Sequence, residues 1–220
     1  MEQVTKQKAT FIDVITERRS VRHYDPTVKI SRDELKEMLT EATLAPSSSN
    51  LQPWRFLIID NQDLKEKLLP IAFNQQQVVN AAAVIAVLGD YEGYKQAEQI
   101  YQKAVIAGYM NEEVKATLIQ NINSRYENRE REIIKNIALV DGGLVAMQFM
   151  LVAKARGYDT VPMGGYNVAT FKEAFQISDR YETIMLIAVG RAAQPGHPTP
   201  RLDIEDITFW NEMPESTSDK

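Results

Sequence analysis

The 220-residue sequence has no cysteine, which removes thiol nucleophiles, disulfides and every thiolate-bound metal or iron–sulfur centre. Histidine is nearly absent as well. Only His23 and His197 occur, and the HExxH spacing is missing, so a histidine-rich metal site has no residues to build it. There is no GxSxG elbow, no Walker-type glycine loop and no GxGxxG fingerprint. No run of ~18 apolar residues exists, and Met1–Thr10 lack the apolar core of a secretory leader. We therefore expect a cytoplasmic chain without a membrane partner. A basic excess is lacking too: 30 acidic residues face 25 basic ones for a net charge of −5, which argues against nucleic acid as a partner. With so few acid–base and nucleophilic groups, an enzyme of this composition leaves its hard step to a cofactor.

What is present suffices for a core. Hydrophobic residues make up 44%, and the length fits one domain spanning 1–220. We expect a peripheral helical excursion at about 91–128 and an extended tail at about 191–220. Phe11–Arg19 reads as a helix ending in cations. Ser31-Arg32-Asp33-Glu34 has capping-box form and opens a second helix with Leu35, Met38, Leu39 and Ala42 on one stripe. Strands are expected at Arg55–Asp60, Ala82–Leu88, Asp159–Met163 and Glu182–Val189, and helices at Leu64–Phe73 and Asn167–Phe175.

Glu130–Arg156 is the longest helical segment. Ile133, Ile137, Val140, Leu144, Met147 and Leu151 form a near-heptad seam, and Ala138, Val145, Phe149 and Val152 a second apolar face. Gly142-Gly143 in its middle calls for close approach by a helix or a ligand. The order of elements gives an α+β class.

Candidate binding chemistry sits in a few stretches. Arg18, Arg19, Ser20 and Arg22 follow the first helix. Cations there suit a helix C-terminus, yet their guanidinium forks equally suit a phosphate or heterocycle carbonyls. Pro46, Ser47, Ser48, Asn50 and Gln52 precede Pro53-Trp54. They read either as a turn or as an amide-rich edge for a ring carrying alternating donors and acceptors. Asn74 with Gln77 reads first as a surface amide pair. Pro162, Met163, Gly164 and Gly165 follow a strand, and glycines there admit a ligand to backbone N–H groups. Arg191 and Arg201 lie in the proline-rich tail.

Taken in order, these stretches resemble the FMN-dependent nitroreductase family over nearly the whole chain. The resemblance rests on Arg18-Arg19-Ser20-Val21-Arg22, Pro46–Trp54, Pro162–Tyr166 and the Gly190-Arg191 … Arg201 tail. It implies a nitroreductase-like fold, a central mixed β-sheet surrounded by helices, with the long buried helix at the interface of a homodimer. It also implies bound FMN, with NADH or NADPH as electron donor. Arg18, Arg19, Ser20, Arg22, Arg191 and Arg201 would hold the phosphate and pyrimidine edge. Asn74 and Gln77 would lie near the ring or ribityl chain, and Pro162, Met163, Gly164 and Gly165 would pass its N5 edge. Pro46, Ser47, Ser48, Asn50 and Gln52 would arrive from the partner copy. The chemistry would occur at the flavin N5, with no catalytic side chain. The expected activity is ping-pong reduction of a small electron-poor acceptor such as a nitroaromatic or quinone. A specialised flavin reductase or dehalogenase, or a non-catalytic flavin-binding protein, is the alternative. Gln77 and Thr199 stand where other branches carry lysine, and Gly164 where they carry an acidic residue.

Overall fold

The computed structural model describes residues 10–213. Four strands form one sheet in the order β1-β2-β4-β3, with β1 Trp54–Ile59, β2 Ala83–Asp90, β3 Asp159–Met163 and β4 Tyr181–Gly190. All three strand pairings are antiparallel. The only parallel pairing among the described residues is an isolated bridge between Ser20 and Thr160. The mixed character expected of the sheet thus comes down to that bridge, because the helical connections return each strand to the end where its neighbour finished.

Strand β2 is buried along its whole length, and its alternation divides the core. Ala83, Ile85 and Val87 join one cluster with Leu35, Met38, Val145 and Phe149, while Val84, Ala86 and Leu88 join another with Leu68, Ile71 and Phe171. Helices α2 (Arg32–Ala42) and α7 (Arg131–Ala155) therefore cover one face, and α3 (Gln62–Ile71) and α8 (Val168–Ala174) the other. The expected caps at Ser31 and Asn61 form, but the Ser31–Glu34 box is only half made because the Glu34 carboxylate accepts from the Tyr158 hydroxyl. Thr10 and Asp13 make a reciprocal capping box on α1 (Phe11–Glu17), Ser31 accepts from the Glu34 N–H, and Asn61 accepts from that of Leu64. A short helix α4 (Gln77–Asn80) precedes β2. The polar stretch forms α5 (Ala97–Ile106) and α6 (Glu112–Tyr126), parted by Gly108 at φ 76°.

Helix α7 lies almost at backbone distance from the sheet. A Cβ on Gly89 would sit 2.7 Å from Ala138 Cβ, and one on Gly142 would sit 2.2 Å from Ile184 Cδ1. The approach of a helix or ligand expected at Gly142-Gly143 is not what this chain shows: Gly142 is met by the Ile184 side chain of β4, and Gly143 faces open space. The two apolar faces part accordingly. Ala138, Val145 and Phe149 are buried, while the seam residues Val140, Leu144 and Met147 are 63%, 43% and 40% exposed. Helix α7 is also the one helix among the described residues long and apolar enough to cross a bilayer by composition. Its buried face is packed on the sheet.

The contact at Gly89 yields a stability test. Gly89→Ala forces its methyl into Ala138 Cβ, which cannot rotate away, and should cost about 1–3 kcal/mol. The urea midpoint of unfolding should fall, and pairing the change with Ala138→Gly should restore part of the loss.

Candidate functional site

Two distant parts of the chain are laid side by side at the β3–β4 edge. After α1 the chain runs along β3, where the Val21 N–H donates to the Thr160 carbonyl at 3.1 Å. It then meets the segment that follows β4. Tyr24 bridges Ala192 in antiparallel sense, Asp25 N–H donates to the Arg191 carbonyl, and Ala193 N–H donates to the His23 carbonyl. Gly196 lies over the same stretch, where an added Cβ would come 2.6 Å from Arg19 Cβ. Tyr24 pins the arrangement by donating its hydroxyl to the Ala188 carbonyl, and burial pushes its pKa far up.

The arginines here divide. Arg19 donates to the carbonyls of Thr16 and Arg18 at 2.6 and 2.8 Å, which is the helix-terminus role. Arg201 turns back on the Thr199 hydroxyl and Pro200 carbonyl, each at 2.8 Å. Arg18, Arg22 and Arg191 donate no side-chain hydrogen bond among the described residues. None of these five has a carboxylate within ion-pair distance there, nor do Arg125, Arg129 and Arg131 on α6 and α7 and the turn between them, whereas Arg32 and Arg55 each have one and Arg156 and Arg180 each have two. Cations left without protein anions suit a ligand phosphate. The structure brings Arg18, Arg19, Ser20, Arg22 and Arg191 onto adjoining segments; it shows no contact from Arg201 to any of them.

A second convergence joins the turn after α3 to the turn after β3. Phe73 and Asn74 adopt left-handed φ of 54° and 57°, a conformation asparagine tolerates better than most residues. That geometry lets Gln75 reach across, its amide donating to the Gly165 carbonyl at 2.8 Å and to the Ala72 carbonyl at 3.0 Å. Gln77, which is buried, donates to Gln75 Oε1 at 2.9 Å and lies 3.9 Å from Met163 Sδ. Buried Lys65 locks the following helix by donating to the carbonyls of Val79 and Ala81. Pro162 is tolerated because β3 is an edge strand. In front of Gly164 an added Cβ would meet nothing within 4 Å, so a ligand has room to approach that backbone.

The serine loop stands apart from both convergences within one chain. Ser48 N–H donates to both carboxylate oxygens of Asp141 at 3.1 and 3.2 Å, and Ser48 Oγ donates to Oδ1 at 3.3 Å. Tyr101 donates to the Ser49 carbonyl at 2.8 Å, and Gln52 N–H donates to Ser47 Oγ at 3.0 Å. Ser49, Asn50 and Gln52 all hold left-handed φ near 50°, which costs non-glycine residues free energy and marks a shape imposed by its surroundings. Pro46, Asn50 and Ser49 are exposed on this loop. At its base, Asp90 N–H donates to the Pro53 carbonyl, while the Asp90 carboxylate takes Arg55 and Arg180.

Sequence reasoning did not single out Asp141, Gln75 or Lys65. Asp141 was the most legible of them, as a lone carboxylate inside the apolar run Leu139–Val145. Gln75 lies in a run of three glutamines, and nothing local marks which of them reaches Gly165.

Comparison with known proteins places this geometry among relatives. The model of the nitroreductase family matches residues 15–191. A Bacillus subtilis protein named "Putative NAD(P)H nitroreductase YdgI" is 48% identical over 202 residues, covering 91% of this chain and 97% of its own length. The CLA biosynthesis enone reductase of Lactiplantibacillus plantarum is 35% identical over 199 residues, covering 89% and 92%. A crystal structure from Exiguobacterium sibiricum, solved in complex with FMN, superposes with a TM-score of 0.89 at 49% identity, covering 94% of this chain and all of that one.

The anchor at Asp90 carries a pH test. Burial alone would raise its pKa, but the Arg180 hydrogen bonds, the Glu92 N–H and the charge of Arg55 outweigh it, so the pKa is lowered. A carboxylate held below its unfolded value of ~3.9 stabilises the fold above that pH and loses the contribution as pH falls through the folded value. Asp90→Asn should cost about 2 kcal/mol at pH 7, less than the ~3–5 of a fully enclosed pair because Arg180 is half exposed. In melts across pH 2–7 the variant should show a shallower acid-side loss of stability than the wild type.

Proposed function

The chain belongs to the nitroreductase family, and on that premise we propose that it is an FMN-dependent oxidoreductase fed by NADH or NADPH. Its proposed acceptors are small electron-poor molecules such as nitroaromatics and quinones, reduced in a ping-pong cycle. The observation that carries the reading is the set of arginines free of carboxylates on adjoining segments paired to β3, the strand that leads into an open glycine turn. A phosphate-bearing planar ring needs both features, so the residues present fit FMN.

When bound, FMN supplies hydride acceptance from the nicotinamide and hydride or electron delivery to the acceptor. The chain's own residues bind and orient. In this reading Arg18 and Arg22 would offset negative charge at the pyrimidine edge, and Arg191 and Arg201 would hold the phosphate, the latter after leaving its own backbone. Gly164 and Gly165 offer backbone groups at the ring edge, with Gln75 and Gln77 fixing the turn. No side chain is assigned to proton transfer, in keeping with two histidines and no cysteine.

The working unit in this reading is a homodimer joined through the exposed face of α7. Val140, Leu144 and Met147 supply its apolar stripe, and Gly143 lets a second helix come close. Pro46, Ser47, Ser48, Asn50 and Gln52, which share no hydrogen bond with Arg18, Arg19, Arg22, Arg191 or Arg201 of their own chain, would serve the partner's flavin. The enone reductase among the relatives favours one narrower acceptor class: carbon–carbon double bonds conjugated to a carbonyl.

Two measurements test this. Mixed without oxygen with NADH or NADPH, the yellow holoprotein should bleach with at least one donor; a flavin that stays oxidised with both favours a binding protein without turnover. Arg18→Ala and Arg201→Ala should each weaken FMN binding at least tenfold by equilibrium dialysis, and unchanged occupancy in both would remove the arginine assignment.

A further inference from the structure

We propose that Asp141 is a positioning residue that holds the Ser47–Gln52 loop in the shape with which one copy of the chain closes over the flavin of the other. The proposal rests on the flavin reading above and concerns a residue outside the set assigned to it. Asp141 is 2% exposed at the centre of α7. All its hydrogen bonds among the described residues come from Ser48, through the backbone N–H and the hydroxyl. No cation pairs with it there, unlike Asp90, which has two.

A buried carboxylate without a cation is an expensive way to build a helix interior. Burial raises the Asp141 pKa, and the Ser48 bonds offset this only in part. An apolar side chain here would leave the Ser48 N–H and hydroxyl without their acceptor, whereas an amide would keep one acceptor oxygen without the buried charge. What the carboxylate alone supplies is two oxygens that receive two donors of the same residue and so fix the orientation of Ser48. The next residues are those that need fixing: Ser49, Asn50 and Gln52 are left-handed, and Tyr101 secures only the Ser49 carbonyl.

Position gives the direction of action. Asp141 adjoins Val140 in sequence, so the buried face that grips the loop and the exposed apolar face meet at this turn of α7. Within its own chain the loop touches α7 and α5, and shares no hydrogen bond with Arg18–Arg22 or with the Gly164 turn. The hold on Ser48 is therefore expected to act across the interface, on the neighbour's cofactor.

The test uses the full chain. Asp141→Asn keeps the size and one acceptor oxygen, and Asp141→Ala removes both. FMN dissociation constants should rise about tenfold in the first variant and further in the second, both should remain dimers, and in Asp141→Asn, which keeps an acceptor for Ser48, the melting temperature of the apoprotein should stay level. A role confined to stability would instead lower the melting temperature and leave the affinity of the folded fraction intact, and that result overturns the proposal. Ser48→Ala approaches the same tie from the loop and should raise the constant by a smaller factor. A mixed dimer, one copy Arg18→Ala and the other Asp141→Asn, separates action in trans from action in cis. In trans, both defects fall in one site and the second site binds one FMN per dimer with wild-type affinity. In cis, both sites are weakened, which refutes the direction claimed. Wild-type protein that binds no FMN overturns the flavin reading and this proposal together; wild-type binding with unchanged variants overturns this proposal alone.

Discussion

The approach of α7 to the sheet, with Gly89 leaving no room for a methyl group against Ala138 and Gly142 filled by the Ile184 side chain, is the constraint around which the other elements are arranged. Helix–sheet packing that close fixes the rotation of α7 about its axis. Once Ala138, Val145 and Phe149 face the sheet, Asp141 must face the serine loop and Val140, Leu144 and Met147 must face outward. A looser contact would let the helix roll, and the three surfaces would lose their fixed relation. Close tolerance at Gly89 thus helps set the geometry of groups many residues away.

The local signals in the chain translate well into elements because each carries its own physics. Thr10, Ser31 and Asn61 cap helices through side-chain oxygens. The unbroken apolar run of β2 belongs to a strand covered on both faces. Gly108 and Gly157 take positive φ where helices end. The family resemblance of the motifs was legible for the same reason, since arginine forks and glycine turns have few substitutes. What the sequence could not disclose were relations between distant segments. The two faces of α7 look alike as strings of apolar residues, and only the register with β2 and β4 decides which is covered. Gln75 is indistinguishable from its neighbours until Gly165 stands opposite it. The sheet's pairing sense likewise depends on where helical connections deliver the chain.

With Asp141 as the exception, the charges at the joints and at the β3–β4 edge are handled differently. Carboxylates at structural joints have been given cations: Asp90 takes Arg55 and Arg180, and Glu37 and Glu41 take Arg156. The arginines on the segments around Ser20 and Ala192 have been given none among the described residues. Such an arrangement stores electrostatic attraction for an anion instead of spending it on the fold, and it exacts self-repulsion until that anion arrives. Binding the anion and completing the fold around it are then coupled, so ligand concentration should enter the apparent stability of the protein.

Pro162 sets a limit on how far that edge can be sealed. Donor and acceptor groups along a strand alternate sides every residue, so Pro162 presents its missing N–H on the same outward side from which the Thr160 carbonyl receives Val21. The N-terminal segment can therefore zip onto β3 for one rung and no further. Beyond it the strand's outer margin stays unzipped through Met163 to the glycines, a gap in the weave held open by an imino acid. In the proposed reading a cofactor edge would lie where a fifth strand could otherwise have grown.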